Sequence, residues 1–420
     1  MRTSTSYRLT RNSSSAGVQY SGAVVRLWIP VVDELALCCG PAIMEKLAAA
    51  FQKRISAFLA RESLECIQGI THAQNRDSLA FGTFEIHLSS RPSFEFMMEW
   101  SRKLCLCLQR PLRLKVLPFV LYPKARVGID LPRTRKQSAL ALRAQFSLRS
   151  TTLVEPICIY RENIQQKKFD QIQLESEIRT GLKKREFVSY FQPKINPKTN
   201  TIAGAEALVR WHRPGHGTLL PKEFISVAEQ SELIHEIGEA VADQTIHFLA
   251  RLTKRGKELP ISINLSERDL DHASLISSLA VKLVAQNIDT RMVSFEVSEK
   301  IVAIEDARHT TFLRMIRKAG FELALDDFGT AYSSLARLIH LPIREIKLDR
   351  YFLHQANSSP RGLDLLVSTA QMLLKNKYRV TLEGIEKSHE LRVFDALPGC
   401  LAQGFYFSPA VPASQLERML

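Results

Sequence analysis

The sequence predicts an α/β protein whose larger, C-terminal part is a (β/α)8 TIM-like barrel with one antiparallel strand, preceded by a smaller α+β domain. Three observations carry that reading. From residue 186 onward, eight short apolar runs alternate with helical segments, the pattern of strands and crossover helices around a parallel sheet. Eight strands in about 235 residues fit a closed barrel, which typically takes ~250. Finally, only NPKTNT (196–201) separates the first two runs, whereas a parallel crossover needs a dozen or more residues. Those two runs should form an antiparallel hairpin, so one strand of the barrel is reversed.

The elements follow in chain order. Residues 1–17 are rich in Ser, Thr and Arg, lack the apolar stretch of a secretory signal, and are expected to be disordered. The α+β domain is placed at 18–165. Within it, residues 20–32 read as a strand and 39–59 as an amphipathic helix, with Ile43, Leu47, Phe51 and Ile55 recurring on one face. LAFGTFEIHL (79–88) reads as a strand, SFEFMMEWSRKLCLCL (93–108) as a helix, and LKVLPFVLYPKARVGI (114–129) as one or two strands. A connecting helix is expected at 166–185, with Phe169, Ile172, Leu174, Ile178 and Leu182 as its apolar residues. The barrel then occupies 186–420. Its eight runs are FVSYFQPKI, IAGAEALVRW, LPISINLSE, MVSFEVSE, FELALDDF, EIKLDR, RVTLEGIE and CLAQGFYF.

Composition narrows the class. In 420 residues, 45% are hydrophobic and 24% charged, which excludes a wholly disordered chain. No uninterrupted apolar run reaches the roughly 18 residues of a membrane-spanning helix. The seven cysteines are odd in number and without framework spacing, so reduced thiols and a cytoplasmic location are expected. Cys105 and Cys107 read as core residues, and His212 and His216, separated by Pro214 and Gly215, as a loop pair that binds no zinc. The net charge of +14 is uneven: residues 1–165 carry 23 basic against 12 acidic residues, the remainder 34 against 31. The basic residues are scattered without aromatic interleaving, so no nucleic-acid face is expected.

Each of the eight runs places a polar residue at or near its C-terminal end: Gln192, Glu206, Asn264, Glu296, Asp326 with Asp327, Lys347, Glu383 and Gln403. Active sites of such barrels lie at the C-terminal ends of the strands. The reversed first strand, which carries Gln192, departs from that rule. Five carboxylates on one rim repel unless some are protonated or hard cations neutralise them. Oxygen-only ligands favour Mg²⁺ or Mn²⁺ over zinc, and this number of carboxylates suits two ions. Two such ions are a means of phosphoester hydrolysis. Lys347 beside two cations should have a lowered pKa and orient or deprotonate the attacking water. Arg210, four residues after Glu206, offers a fork for a non-scissile phosphate.

The same runs resemble EAL domains, bacterial phosphodiesterases that linearise cyclic di-GMP to pGpG. The matching segments are EALVRW (206–211), INLS (263–266), EVSE (296–299), DDFGTAYSSL (326–335), IKLD (346–349), EGIE (383–386) and QGFYFSP (403–409), covering roughly residues 171–420. The resemblance implies that Glu206, Asn264, Glu296, Asp326, Asp327 and Glu383 bind metal. It implies that Lys347 helps activate water and that Gln403 helps place it. Arg210 matches a phosphate-contacting residue, and Gln192 and Leu208 match ligand contacts. Glu299 matches the anchor of the loop after the Asp326–Asp327 strand, and Glu386 a supporting acid. The resemblance further implies cyclic di-GMP as partner, pairing of two copies through the barrel, and roles in motility and biofilm control.

One departure is Ala331, where the family usually has glycine; if that position needs a positive φ, alanine costs about 1 kcal/mol or more. The N-terminal part resembles a degenerate GGDEF domain. The Gly-Gly-acidic turn that a cyclase needs is missing near QNRDSLAFGTFEI (74–86), so cyclase activity is expected to be absent and a regulatory role is implied, with an unrelated sensor as the alternative. Two other functions for the whole chain stay open at this point. One is a receptor that holds cyclic di-GMP without cleaving it, the other a protein-interaction scaffold.

Overall fold

The computed structural model describes residues 22–39, 41–62, 67–72, 82–131, 140–271, 273–303, 307–329 and 338–420. Contacts divide the chain into two units, Met1–Asp170 and Gln171–Leu420. The division falls inside the helix Glu162–Lys183. The segment 1–17, Ala331, and the first residues of QNRDSLAFGTFEI lie outside the described residues.

The first unit is built on a five-stranded sheet. Its strands are β1 (Val24–Trp28), β2 (Ile67–His72), β3 (Thr83–Leu88), β6 (Arg126–Asp130) and β7 (Ile157–Ile159), in the order β2-β3-β1-β6-β7. A separate short hairpin pairs β4 (Leu112–Arg113) with β5 (Val120–Leu121). The expected strand over 20–32 stops at Trp28, and Pro30 opens a helix, Pro30–Cys39. Proline is preorganised for a first helical position, where its missing N–H is not needed, and Asp33 favours the same helix end. The stretch 114–129, expected as one or two strands, holds two, β5 and β6, with Pro118 and Pro123, which cannot donate to a ladder, outside them. Helices Pro41–Arg61 and Phe94–Leu108 lie as expected, and Cys105 is buried in the core of this unit.

The second unit is a closed barrel. Its eight strands are β8 (Phe187–Asn196), β9 (Thr201–Arg213), β11 (Ile261–Leu265), β12 (Val293–Ser298), β13 (Glu322–Phe328), β14 (Glu345–Leu348), β15 (Arg379–Leu382) and β16 (Leu401–Ala402). They follow one another in sequence order from β9 to β16, and β8 closes the ring by pairing with both ends. All pairs are parallel except those of β8, which runs antiparallel to β9 and to β16. Short strands β10 (Gly217–Leu219) and β17 (Val411–Pro412) hang on β9 and β8. His212 ends up on β9 and His216 in the turn before β10, which rules out one helical face for the pair.

The lumen inverts that of an ordinary barrel, whose interior is filled with branched apolar residues. Ile261, Ile263 and Leu265 of β11, Val293, Phe295 and Val297 of β12, and Ile346 and Leu348 of β14 all belong to one large apolar cluster shared with the surrounding helices. The residues between them point the other way. Those residues are Ser262 and Asn264, Ser294 and Glu296, and Glu345 and Lys347. The hydrophobic core is therefore a sleeve between sheet and helices, and the lumen is lined with polar side chains.

Candidate active site

Lys347 stands at the centre of the lumen, 1% exposed, with four carboxylates around it. Its Nζ lies 2.6 Å from Glu296 Oε2, 2.7 Å from Glu383 Oε1, 2.9 Å from Asp326 Oδ1 and 3.1 Å from Glu206 Oε2. The four acids come from β9, β12, β13 and the end of β15, so the convergence exists only once the cylinder is closed. Glu206 is the second hub. Its carboxylate accepts from Asn264 Nδ2 at 2.8 Å and from Gln403 Nε2 at 2.7 Å, besides Lys347. The carboxamide oxygen of Gln403 is buried without a hydrogen-bond partner among the described residues. Gly404 must follow it without a side chain, because a Cβ there would sit 2.1 Å from Ile385 O.

Adjacent residues of a regular strand point to opposite faces, so Asp326 and Asp327 would not ordinarily meet. The register of β13 on β14 shifts between Leu325 and Phe328, and Asp327 takes a left-handed φ of +54°. Aspartate tolerates that region better than most residues. The bulge brings both carboxylates to one side. Asp326, Asp327 and Glu383 each offer an oxygen within 4.8 Å of the others'.

Gln192 reaches the site although β8 is reversed, because it lies directly opposite Glu206 in the β8–β9 hairpin. It accepts from Gln403 Nε2 at 3.3 Å. Gln192, Glu206, Leu208, Asp326, Lys347, Glu383, Glu386 and Gln403 line one cleft of about 330 Å³. Exposed Phe405 stands at its lip. Arg210 does not line that cleft. It is half-buried two residues beyond Leu208, donates to Val209 O at 2.8 Å, and lies 5.8 Å from the centre of the Tyr190 ring. Glu299 accepts from Gly329 N at 3.0 Å and so holds the first turn after β13. Gly329 has a φ of +96°, and the Phe352 ring occupies the place a Cβ would need.

A second layer below the rim escaped the sequence reading. Lys194, 3% exposed, bonds Ser262 Oγ at 2.7 Å, Glu296 Oε1 at 3.0 Å and Glu345 Oε1 at 2.7 Å. The available signal was periodicity. Lys194 follows Gln192, and Glu345 precedes Lys347, by two residues on a strand, so each shares a face with a residue already placed at the site.

Without cations the site manages its charge by protons. Burial alone would lower the Lys347 pKa, but the carboxylates of Glu206, Glu296, Glu383 and Asp326 hold it well above its ordinary value. The lowered pKa expected from the sequence is that of a lysine beside two cations, whose field would oppose that of these anions. Glu296 resists its burial because Lys347 and Lys194 both face it, and its pKa falls to about 2. Glu383 is pushed up to about 8 by burial and by Asp326 and Glu206, against the pull of Lys347. Glu206 and Asp326 shift upward from burial and from the charge of Glu296, and Asp327 from burial and Asp349.

A stability change follows. Between its ordinary value of 4.5 and about 8, folded Glu383 keeps a proton that the unfolded chain has released. Stability then falls as pH rises through that window. Metal-free protein is expected to melt at a lower temperature at pH 8 than at pH 6. Added Mn²⁺ should raise the melting temperature more at pH 8, because cation binding releases the proton. Thermal melts in chelator and in Mn²⁺ check this; a metal-free melting temperature that rises from pH 6 to 8 would contradict it.

The donor set is all oxygen, with three mutually close carboxylates, and it fits a hard divalent cation.

Comparison with known proteins agrees with this architecture. The EAL domain profile matches residues 175–410. Cyclic di-GMP phosphodiesterase PdeR of Escherichia coli strain K12 is 28% identical over 338 residues, 79% of this chain and 50% of PdeR. Cyclic di-GMP phosphodiesterase RocR of Pseudomonas aeruginosa is 31% identical over 238 residues, 56% of this chain and 60% of RocR. Among solved structures, a PaMucR phosphodiesterase in complex with c-di-GMP superposes with a TM-score of 0.55 at 30% identity, covering 58% of this chain and 99% of that one. The EAL enzyme Bd1971, with cAMP and cyclic di-GMP bound, gives a TM-score of 0.57 at 28% identity, covering 71% of this chain and 81% of that one. The chain spans about half the length of PdeR, and less than two thirds of RocR. With the profile covering more than half of its residues and the reversed strand in place, this chain belongs to the EAL domain family.

Proposed function

We propose that this chain hydrolyses cyclic di-GMP to linear pGpG with two Mg²⁺ or Mn²⁺ ions held by Glu206, Asn264, Glu296, Asp326, Asp327 and Glu383. The observation that carries the proposal is the charge of the lumen. Six carboxylates, of Glu206, Glu296, Asp326, Asp327, Glu345 and Glu383, face the ammonium groups of Lys194 and Lys347. Fully ionised, they outnumber these two ammonium groups and the Arg379 guanidinium 3.6 Å from Glu345, an excess of negative charge that dications would offset. Protonation of Glu383 relieves part of that excess in the metal-free chain. Relatives named as cyclic di-GMP phosphodiesterases and a homologous structure in complex with c-di-GMP support the choice of substrate.

Bound there, the ions would polarise the phosphate and supply water that ionises near neutral pH. The chain's own residues position the reactants. Lys347 donates toward an oxygen at the centre of the rim. The carboxamide oxygen of Gln403 accepts a hydrogen bond from the attacking water and so orients it, while its amide nitrogen stays on Glu206. Leu208 and Gln192 form the cleft wall on which the nucleotide lies, and Arg210 offers its remaining donors to the phosphate that is not cut. Water adds to phosphorus, the bond to one 3′ oxygen breaks, and that oxygen leaves as a hydroxyl. The N-terminal unit would regulate this activity. A cytoplasmic setting is part of the same reading, and the six described cysteines carry free thiols.

The test is chromatography of the products after incubating purified protein with cyclic di-GMP and Mg²⁺ or Mn²⁺. pGpG is expected. Binding without pGpG would make the chain a receptor, and no binding would make it a scaffold. Replacing Mg²⁺ by Ca²⁺ should abolish most turnover, because calcium takes more ligands at longer, looser distances. Undiminished hydrolysis in Ca²⁺ would argue against the proposed geometry.

A further inference from the structure

Nothing in the proposed chemistry uses Lys194, yet it is among the most deeply enclosed cations of the lumen. Its three N–H donors meet three oxygens, Ser262 Oγ, Glu296 Oε1 and Glu345 Oε1, so the ammonium is satisfied in one orientation. The same Glu345 Oε1 also accepts from Thr381 Oγ1 at 2.9 Å, and Glu345 Oε2 lies 3.6 Å from Arg379 Nη2. Glu296 is consequently gripped by two lysines, Oε1 by Lys194 at 3.0 Å and Oε2 by Lys347 at 2.6 Å. The terminal torsion of a glutamate is broad. Cations on both oxygens fix the plane of the carboxylate. Stability alone does not account for this lysine, since buried ion pairs can often be replaced by apolar residues of similar volume without loss.

We propose that Lys194 is a positioning residue for phosphodiester hydrolysis. It locks the Glu296 carboxylate from below so that Oε2 is presented to the rim, and Glu345, Ser262 and Thr381 hold Lys194 in turn. The proposal rests on the two-ion reading given above.

The test titrates Mn²⁺ into the metal-free full chain by calorimetry, alongside kcat and KM for cyclic di-GMP and thermal melts. Lys194→Met with Glu345→Gln removes one charge of each sign, so the formal charge of the lumen is unchanged. Mn²⁺ affinity and kcat are each expected to fall about 10–100-fold, the usual cost of losing a partner behind a metal ligand, with KM changed less than about threefold. Glu345→Gln alone removes one negative charge but keeps the Lys194–Glu296 pair, so its loss of Mn²⁺ affinity should be smaller than that of the methionine double variant. Lys194→Gln with Glu345→Gln, whose amide still donates to Glu296, should recover part of the loss. Wild-type Mn²⁺ affinity and kcat in the methionine double variant would overturn the proposal, as would the full loss in Glu345→Gln alone. If the methionine variant yields no folded protein, the glutamine double variant decides: affinity below wild type supports the role, and affinity equal to wild type overturns it. A wild-type chain that binds no Mn²⁺ would instead defeat the two-ion reading.

Discussion

Replacing Lys347 by methionine is expected to lower kcat for cyclic di-GMP by roughly 10²–10⁴-fold, the range of a positioned proton-handling group, while nucleotide binding is retained. The side chain has nearly the same length, so the lumen stays filled and the loss reports the ammonium. Its removal leaves Glu206, Glu296, Asp326 and Glu383 facing one another without their common counter-charge. The metal-free variant should therefore melt well below wild type, and Mn²⁺ should restore much of the difference. Single-turnover kinetics and calorimetric titration with the nucleotide separate the two effects. A kcat within a few-fold of wild type would remove Lys347 from the chemistry.

Glu206→Ala should be more severe. Three donors converge on that carboxylate, from Asn264, Lys347 and Gln403; without it Asn264 Nδ2 loses this acceptor, Gln403 Nε2 keeps the longer bond to Gln192, and Lys347 keeps its other three carboxylates. A buried donor left without its partner costs more than the bond itself gained. Gln403 is held by that longer bond alone, so the acceptor for the attacking water is less firmly fixed. Turnover is expected to fall by more than about 10²-fold, and the number of Mn²⁺ ions bound should drop from two to one. Calorimetric stoichiometry is the decisive measurement. Two ions bound with turnover close to wild type would show that Glu206 is not a shared ligand.

Much of this site was legible in the sequence because most rim residues mark the ends of their strands. Glu296, Asp326, Glu383 and Lys347 each stand at or near the end of an apolar run, Glu206 opens EALVRW within its run, and the short NPKTNT spacer announced the reversed strand. What escaped lay one layer deeper. Lys194 and Glu345 sit inside their runs, where a charge reads as a surface residue unless the other face is known to be buried. The bulge that turns Asp327 toward Asp326 depends on the pairing of β13 with β14, which no local pattern encodes. In the N-terminal unit, Pro30 ends a run that continues in apolar residues, and hydropathy alone could not separate β1 from the helix that follows it.

The inverted barrel has a consequence for how this protein tolerates change. Its cohesion comes from the apolar sleeve around the cylinder, while the lining works against it, holding like charges close together. Scaffold and chemistry are thus carried by alternate residues of the same strands. Turning a lining acid into its amide, Asp326→Asn for instance, relieves repulsion and should leave an inert protein more heat-resistant than its parent. A lineage could shed catalysis and gain robustness in one substitution, with the architecture left intact for some other use.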